Sequence, residues 1–271
     1  MSLEGADQRT VSAMATFEDI ARTPRLKIAR AKYHVNVLSA KVEAYFAQRP
    51  CKLVLMRPEG GNRAHPFFMC EVPIPPEFSL IIGDAIHNLR SALDHTIWQM
   101  IGSKASKPRN IQYPFPGEAV DQERFRQLME RREIPLAGEN VIEMIMTLNG
   151  QPGGDELLYG VHDLDIVDKH RLIVTVSETV TYDFRNMRSG FPGVSTNWLF
   201  PTWVRKAPGE KLTGLVADWL EEEAENQPTF FISLEDRPAF VRQEAVTVLR
   251  NMANRIEEAI NLLITAYLTE R

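Results

Sequence analysis

Two stretches of the chain repeat apolar residues at alternating intervals of three and four. In the first, Ile28, Ala31, Val35, Leu38, Val42 and Tyr45 fall on one stripe. In the second, Val241, Ala245, Val248, Met252, Ile256, Ala259 and Leu263 do the same near the C-terminus. That spacing returns to one face of a 3.6-residue helix and predicts two long amphipathic helices. Pro50 ends the first. Residues 1–24 are polar and mixed and close at Pro24, which predicts an N-terminal arm ahead of the helix.

Between the two helices the pattern changes. CKLVLMR and FFMCEVPI flank the turn-rich PEGGNRAHP and read as two strands. Pro75 and Pro76 stop the pairing and open another helix. Shorter helical patterns follow at about 121–132 and 139–148. GQPGGD then places Asp155 at the N-cap of a helix running to about Lys169. LIVTVSETVTY, from Leu172, reads as a strand, and NWLF and TFFISL within 183–237 suit antiparallel strands. EEEAEN reads as a solvated connection between them. The predicted class is α+β, a mainly helical bundle whose long first and last helices pack together, with inserted antiparallel β segments. The predicted organisation is the arm 1–24 and a single domain 25–271. Its helical core spans 25–170 and 238–271, and a β-rich insertion covers about 171–237.

The segment GDAIHNLRSALDHTIWQM, Gly83 to Met100, has an unusual polar face. On a helical wheel Leu89, Ala92, Leu93, Ile97 and Met100 share one side. His87, Asn88, Arg90, Ser91, Asp94, His95 and Trp98 share the other. A solvated face ordinarily uses Lys, Glu and Gln, which favour helix and are cheap to expose. This face from 87 to 98 has none of them. It uses groups that hydrogen-bond in fixed geometry or move protons. Two readings follow: a functional cleft, or a structural network in which Arg90 pairs with Asp94 at i,i+4. A second segment, HDLDIVDKHR from His162 to Arg171, has the same mix, so four of the six histidines lie in these two places. Shared composition predicts that the segments meet, with Asp168 fixing a histidine tautomer or pairing with Arg90.

Composition narrows the classes. A net charge of −5 gives no general attraction to nucleic acid, so a polyanion partner needs a local basic groove. Two cysteines, Cys51 and Cys70, are too few for a disulfide scaffold and are expected as thiols, although they flank the predicted hairpin. No apolar run approaches the roughly 18–20 residues of a membrane span. The opening MSLEGADQRT lacks the pattern of a signal peptide, so a cytoplasmic location is expected.

Three chemistries fit the polar segments. An arginine and a histidine suffice for RNA cleavage through its own 2′-hydroxyl without a metal or other cofactor. Arg90 and His95, spaced R-x4-H, resemble the motif of HEPN helical ribonucleases and nucleic-acid-binding proteins; Ser91 stands where many such motifs have asparagine. The resemblance implies that Arg90 holds phosphate and His95 moves the proton. His87, Asn88 and Asp94 would orient them, and Asp168, Lys169, His170 and Arg171 would support the site. It also implies a homodimer. HNLRSALDH and DKHR together resemble an uncharacterised bacterial protein family over most of the chain, one with no established activity. The second chemistry is a metal-binding hydrolase using His87, Asp94, His95 and His170, although no H-x3-H or HExxH spacing is present. The third is a non-catalytic interaction module, with Trp98 supplying contact area.

Overall fold

The computed structural model describes residues 15–58, 65–70, 72–170, 176–181, 202–205, 215–219, 229–234, 239–240 and 243–270. Six α-helices dominate them: α1 (Phe17–Ala47), α2 (Glu77–Ile101), α3 (Gln122–Arg131), α4 (Glu139–Leu148), α5 (Glu156–His170) and α6 (Ala245–Thr269). The architecture is mainly helical, as the apolar periodicity requires. Among the described residues no helix is long and apolar enough to cross a membrane.

The first helix begins earlier than its apolar stripe. Thr16 and Asp19 form a capping box, in which Asp19 N–H donates to Thr16 Oγ1 at 3.2 Å and Thr16 N–H donates to Asp19 Oδ2 at 3.0 Å. Ile20 and Ala21 are already buried. Residues 17–24 are therefore helix and not arm, and Pro24 lies inside α1. The capping bonds and the buried first turn hold the helix through a proline that propensity alone reads as a stop. The part of the predicted arm before residue 15 lies outside the described residues.

The chain divides into two compact units. The first takes Met1–Ala29, Leu89–Tyr159 and Arg255–Arg271. Its core includes Ile20, Ile28, Leu89, Leu93, Ile97, Phe125, Met129, Ile145, Ile256 and Leu263. Asp121 caps α3 by accepting from Arg124 N–H at 2.8 Å, and Asp155 caps α5 by accepting from Leu158 N–H at 2.9 Å. Glu270, just past the end of α6, accepts from Glu139 N–H at 3.1 Å and Asn140 N–H at 2.7 Å. Its carboxylate thus sits at the positive end of α4, which explains why the preceding position is a glycine: a Cβ at Gly138 would overlap Glu270.

The second unit takes Arg30–Asn88 and Gly160–Asn254. Val35, Leu38, Ile82, Ile86, Leu164, Leu249 and Met252 are buried in it. Here α1 and α6 lie side by side, with Arg250 Nη2 donating to Ser39 Oγ at 3.3 Å. Backbone pairing joins β1 (Cys51–Pro58) antiparallel to β2 (His65–Cys70), with Cys51 opposite Cys70. In the same sheet lie β4 (Thr202–Arg205) and β5 (Leu215–Trp219), in the order β4-β2-β1-β5. The strand β3 (Val176–Thr181) pairs antiparallel with β6 (Thr229–Leu234). NWLF and EEEAEN lie outside the described residues.

Leu93 is fully buried while Leu80, on the same helix, is 55% exposed. Leu93→Ala is expected to destabilise by roughly 2–5 kcal/mol and Leu80→Ala by less than about 0.5 kcal/mol, read by urea denaturation.

Candidate functional site

The unusual face of α2 is shared between the two units: His87 and Asn88 belong to the second, Arg90 to Trp98 to the first. Each has its own chemistry.

In the second unit the two histidine-bearing segments meet. His87 Nδ1 lies 3.2 Å from Asp165 Oδ1, linking α2 to α5 across 78 residues of sequence. Lys169 Nζ donates to the other oxygen, Asp165 Oδ2, at 2.8 Å. The Asp165 side chain is 6% exposed and that of His87 48% exposed. A buried carboxylate thus takes hydrogen bonds from two sides and orients an imidazole that solvent reaches. Accepting through Oδ1 places the shared proton on Nδ1 in the neutral imidazole, the arrangement in which a carboxylate selects a tautomer.

Asp168, which composition singled out for this role, stands one step away. Its carboxyl packs against the backbone of α2 at Gly83, where a Cβ would overlap it. Burial, then repulsion from Asp165 and Asp84, pushes its pKa above the ordinary carboxylate value; His87 and Lys169 oppose the shift. His34 of α1 is buried and lies 3.9 Å from Asp84. Burial and the Arg30 charge push its pKa down, with Asp84 opposing. Asn88 Nδ2 donates to the Asp84 carbonyl at 2.8 Å within its own helix. Arg171 and the side chain of His170 lie outside the described residues.

In the first unit Arg90 is 6% exposed. Its guanidinium pairs with Asp94 through Nη1, donates from Nη2 to the Tyr113 carbonyl at 3.4 Å, and lies 4.8 Å from the Phe115 ring centroid. Asp94 also accepts from Tyr113 N–H at 2.8 Å. The i,i+4 pair therefore clamps the YPFP loop (113–116) onto α2, and Arg90 serves as a buried tie. Close by in the same cluster, Arg255 Nε donates to the capping Asp155 Oδ2 at 2.5 Å. The Tyr113 hydroxyl is buried with no hydrogen-bond partner among the described residues, and burial pushes its pKa well above the ordinary value. His95 is partly exposed. Burial, then the Lys27 charge, lowers its pKa, with Asp94 opposing. His95 is thus held neutral near pH 7.

Among the described residues no three His, Cys, Asp or Glu side chains converge as a metal site requires. The alternative ligand set of His87, Asp94, His95 and His170 includes one side chain, that of His170, outside the described residues. The residues missed in the sequence are Asp165, Asp84, His34 and Lys27. Asp165 alone carried a signal: it stands four residues before Lys169, on one helical face with it.

Comparison with family models, with curated proteins and with solved structures finds no match for this chain.

Arg90→Ala is expected to destabilise by roughly 3 kcal/mol, the lower end for breaking a buried pair because Asp94 is partly exposed. A melting temperature unchanged from the parent chain would refute the clamp. A second test uses pH. The raised pKa of Asp168 means that folding disfavours its charge, so the penalty is full at neutral pH and disappears once Asp168 is protonated in both states. Asp168→Asn is therefore expected to raise the melting temperature at pH 7, with the gain shrinking as pH falls through the carboxylate range.

Proposed function

We propose that the chain is a metal-independent endoribonuclease of HEPN-like type, in which His87, held by Asp165, transfers the proton. The observation that carries this reading is the half-exposed imidazole oriented by a buried carboxylate. RNA cleavage through the 2′-hydroxyl needs one group to take that proton and another to give one to the departing 5′-oxygen. His87 suits the first role. Asp168, in the same cluster as His87 and shifted by burial and its neighbouring carboxylates in the direction a general acid needs, is assigned the second. Lys169, through Asp165, is a positioning residue for His87.

The R-x4-H resemblance supports RNA as substrate but divides its labour differently from the motif alone. Arg90 is a positioning residue for the loop 113–116 through Asp94. His95 carries a second reading: the Lys27 charge helps to keep it neutral, as a general base must be, so His95 is the base if His87 is not. In either reading the helical core carries the chemistry and the β-rich region about 171–237 is an insertion in it. The homodimer implied by the resemblance belongs to the same proposal.

The test is cleavage of single-stranded RNA by the full chain in EDTA. The expected products carry 2′,3′-cyclic phosphate ends, and activity survives the chelator. His87→Ala and Asp165→Asn are expected to lower the rate by about 10²–10⁴-fold. Loss of activity in His95→Ala with none in His87→Ala would move the base to His95. Binding of RNA without cleavage by the parent chain would sink the enzymatic reading.

A further inference from the structure

We propose that a groove beside α3 binds the phosphates of single-stranded RNA; the inference rests on the RNA reading above and gives it a grip. The His87 cluster contains Asp84, Asp165 and Asp168, and its Lys169 is already bonded to Asp165, so it offers a phosphate little attraction. With a net charge of −5 the chain needs a local basic surface to hold a polyanion.

Such a surface lies in the first unit. The loop carrying Pro116, Glu118 and Val120 and the exposed stripe of α3 enclose a groove of about 380 Å³, with Arg124, Leu128 and Arg131 along its helical wall. That volume lies within the range of small-molecule sites. Arg124 and Arg131 are seven residues apart, two turns on one face, so their Cα atoms are separated by about 10 Å. A stacked strand carries one phosphate per roughly 3.4 Å of axis, so this spacing spans about three nucleotides.

The other guanidiniums of this region are engaged. Arg126 Nη1 donates to Glu139 at 2.7 Å, and Arg132 Nη1 to the Asn110 carbonyl at 3.2 Å. Among the described residues the side chains of Arg124 and Arg131 form no hydrogen bond or ion pair, and both are exposed. The acids of α3 fall on another side: Glu123 and Glu130 lie about 80–100° around the wheel from Arg131. Glu118 is the one acid lining the groove. The walls match a nucleotide in kind, with two planar forks for phosphate oxygens and apolar Leu128, Val120 and Pro116 for sugar and base.

The experiment measures binding of an uncleavable 2′-O-methyl RNA oligonucleotide by fluorescence anisotropy over a salt series. The full chain is compared with Arg124→Gln/Arg131→Gln and with Arg22→Gln as an exposed-arginine control. The double variant is expected to bind at least 10-fold more weakly, and its salt slope to fall by about 1.4 for two lost contacts to a single strand. The control is expected to keep the parent affinity to within about threefold. Equal affinity and slope in parent and double variant would overturn the groove, as would an absence of RNA binding by the parent. Adenosine monophosphate displacing the oligonucleotide at equal phosphate concentration would assign the site to free nucleotides and overturn the RNA assignment. The outcomes separate the two proposals. Arginine-dependent binding without cleavage of unmodified RNA keeps the groove and removes the ribonuclease; cleavage insensitive to the two arginines does the reverse.

Discussion

A guanidinium cannot lose its charge on burial, and Arg90 is almost completely buried. That constraint organises the first unit. An isolated cation in a core is costly by several kcal/mol, so a partner must be supplied from the nearest rigid element. Asp94, one turn on, supplies it and spends its remaining acceptor capacity on Tyr113 N–H. The arginine in turn takes the Tyr113 carbonyl and the face of Phe115. Pro114 and Pro116 limit the conformations of the loop that these contacts capture. One ion pair thus determines how the chain leaves α2 and approaches α3, whose exposed stripe forms the groove wall.

The same rule, applied with the opposite sign, organises the histidine cluster. Asp165 is a buried carboxylate, and His87 and Lys169 are the donors that make its burial tolerable. Asp168, three residues on, carries a raised pKa from its burial and then from the repulsion of Asp165 and Asp84. Two carboxyls on one helix thus meet different surroundings, one held between two donors and the other packed against bare backbone. Gly83 is part of the arrangement, since only the bare backbone there leaves room for the Asp168 carboxyl.

Much of the fold was legible because burial is periodic. The helices α3 and α4, the Asp155 cap and the apolar side of α2 all follow from spacing and from cap chemistry. What spacing could not convey was which polar residues go inward. A wheel puts Arg90 and His87 on one arc, yet the first is buried and the second half exposed. The difference lies in what packs opposite, the loop at Tyr113 for one and α5 for the other, and neither is encoded in the periodicity of α2. Pro24 misled for a related reason. Propensity treats it as a stop, whereas the Thr16–Asp19 box and the buried Ile20 start the helix upstream. The meeting of the two histidine segments was legible from shared composition, but the partner was Asp165 and not Asp168. Helical phase decides this: Asp165 shares a face with Lys169, while Asp168 is turned toward Gly83.

The nine residues from His87 to His95 carry structural and chemical duties in alternation, and this bears on how a motif should be read. Arg90 and Asp94 neutralise each other inside the molecule; each is needed by the other before either is available to a ligand. The imidazoles on either side, His87 and His95, retain contact with solvent; Asp165 orients the first, while burial and then the Lys27 charge lower the pKa of the second. The R-x4-H spacing here therefore joins a buried tie, Arg90, to a partly exposed imidazole, His95. A guanidinium already paired inside a core is spent on packing, and the spacing of a motif does not reveal that.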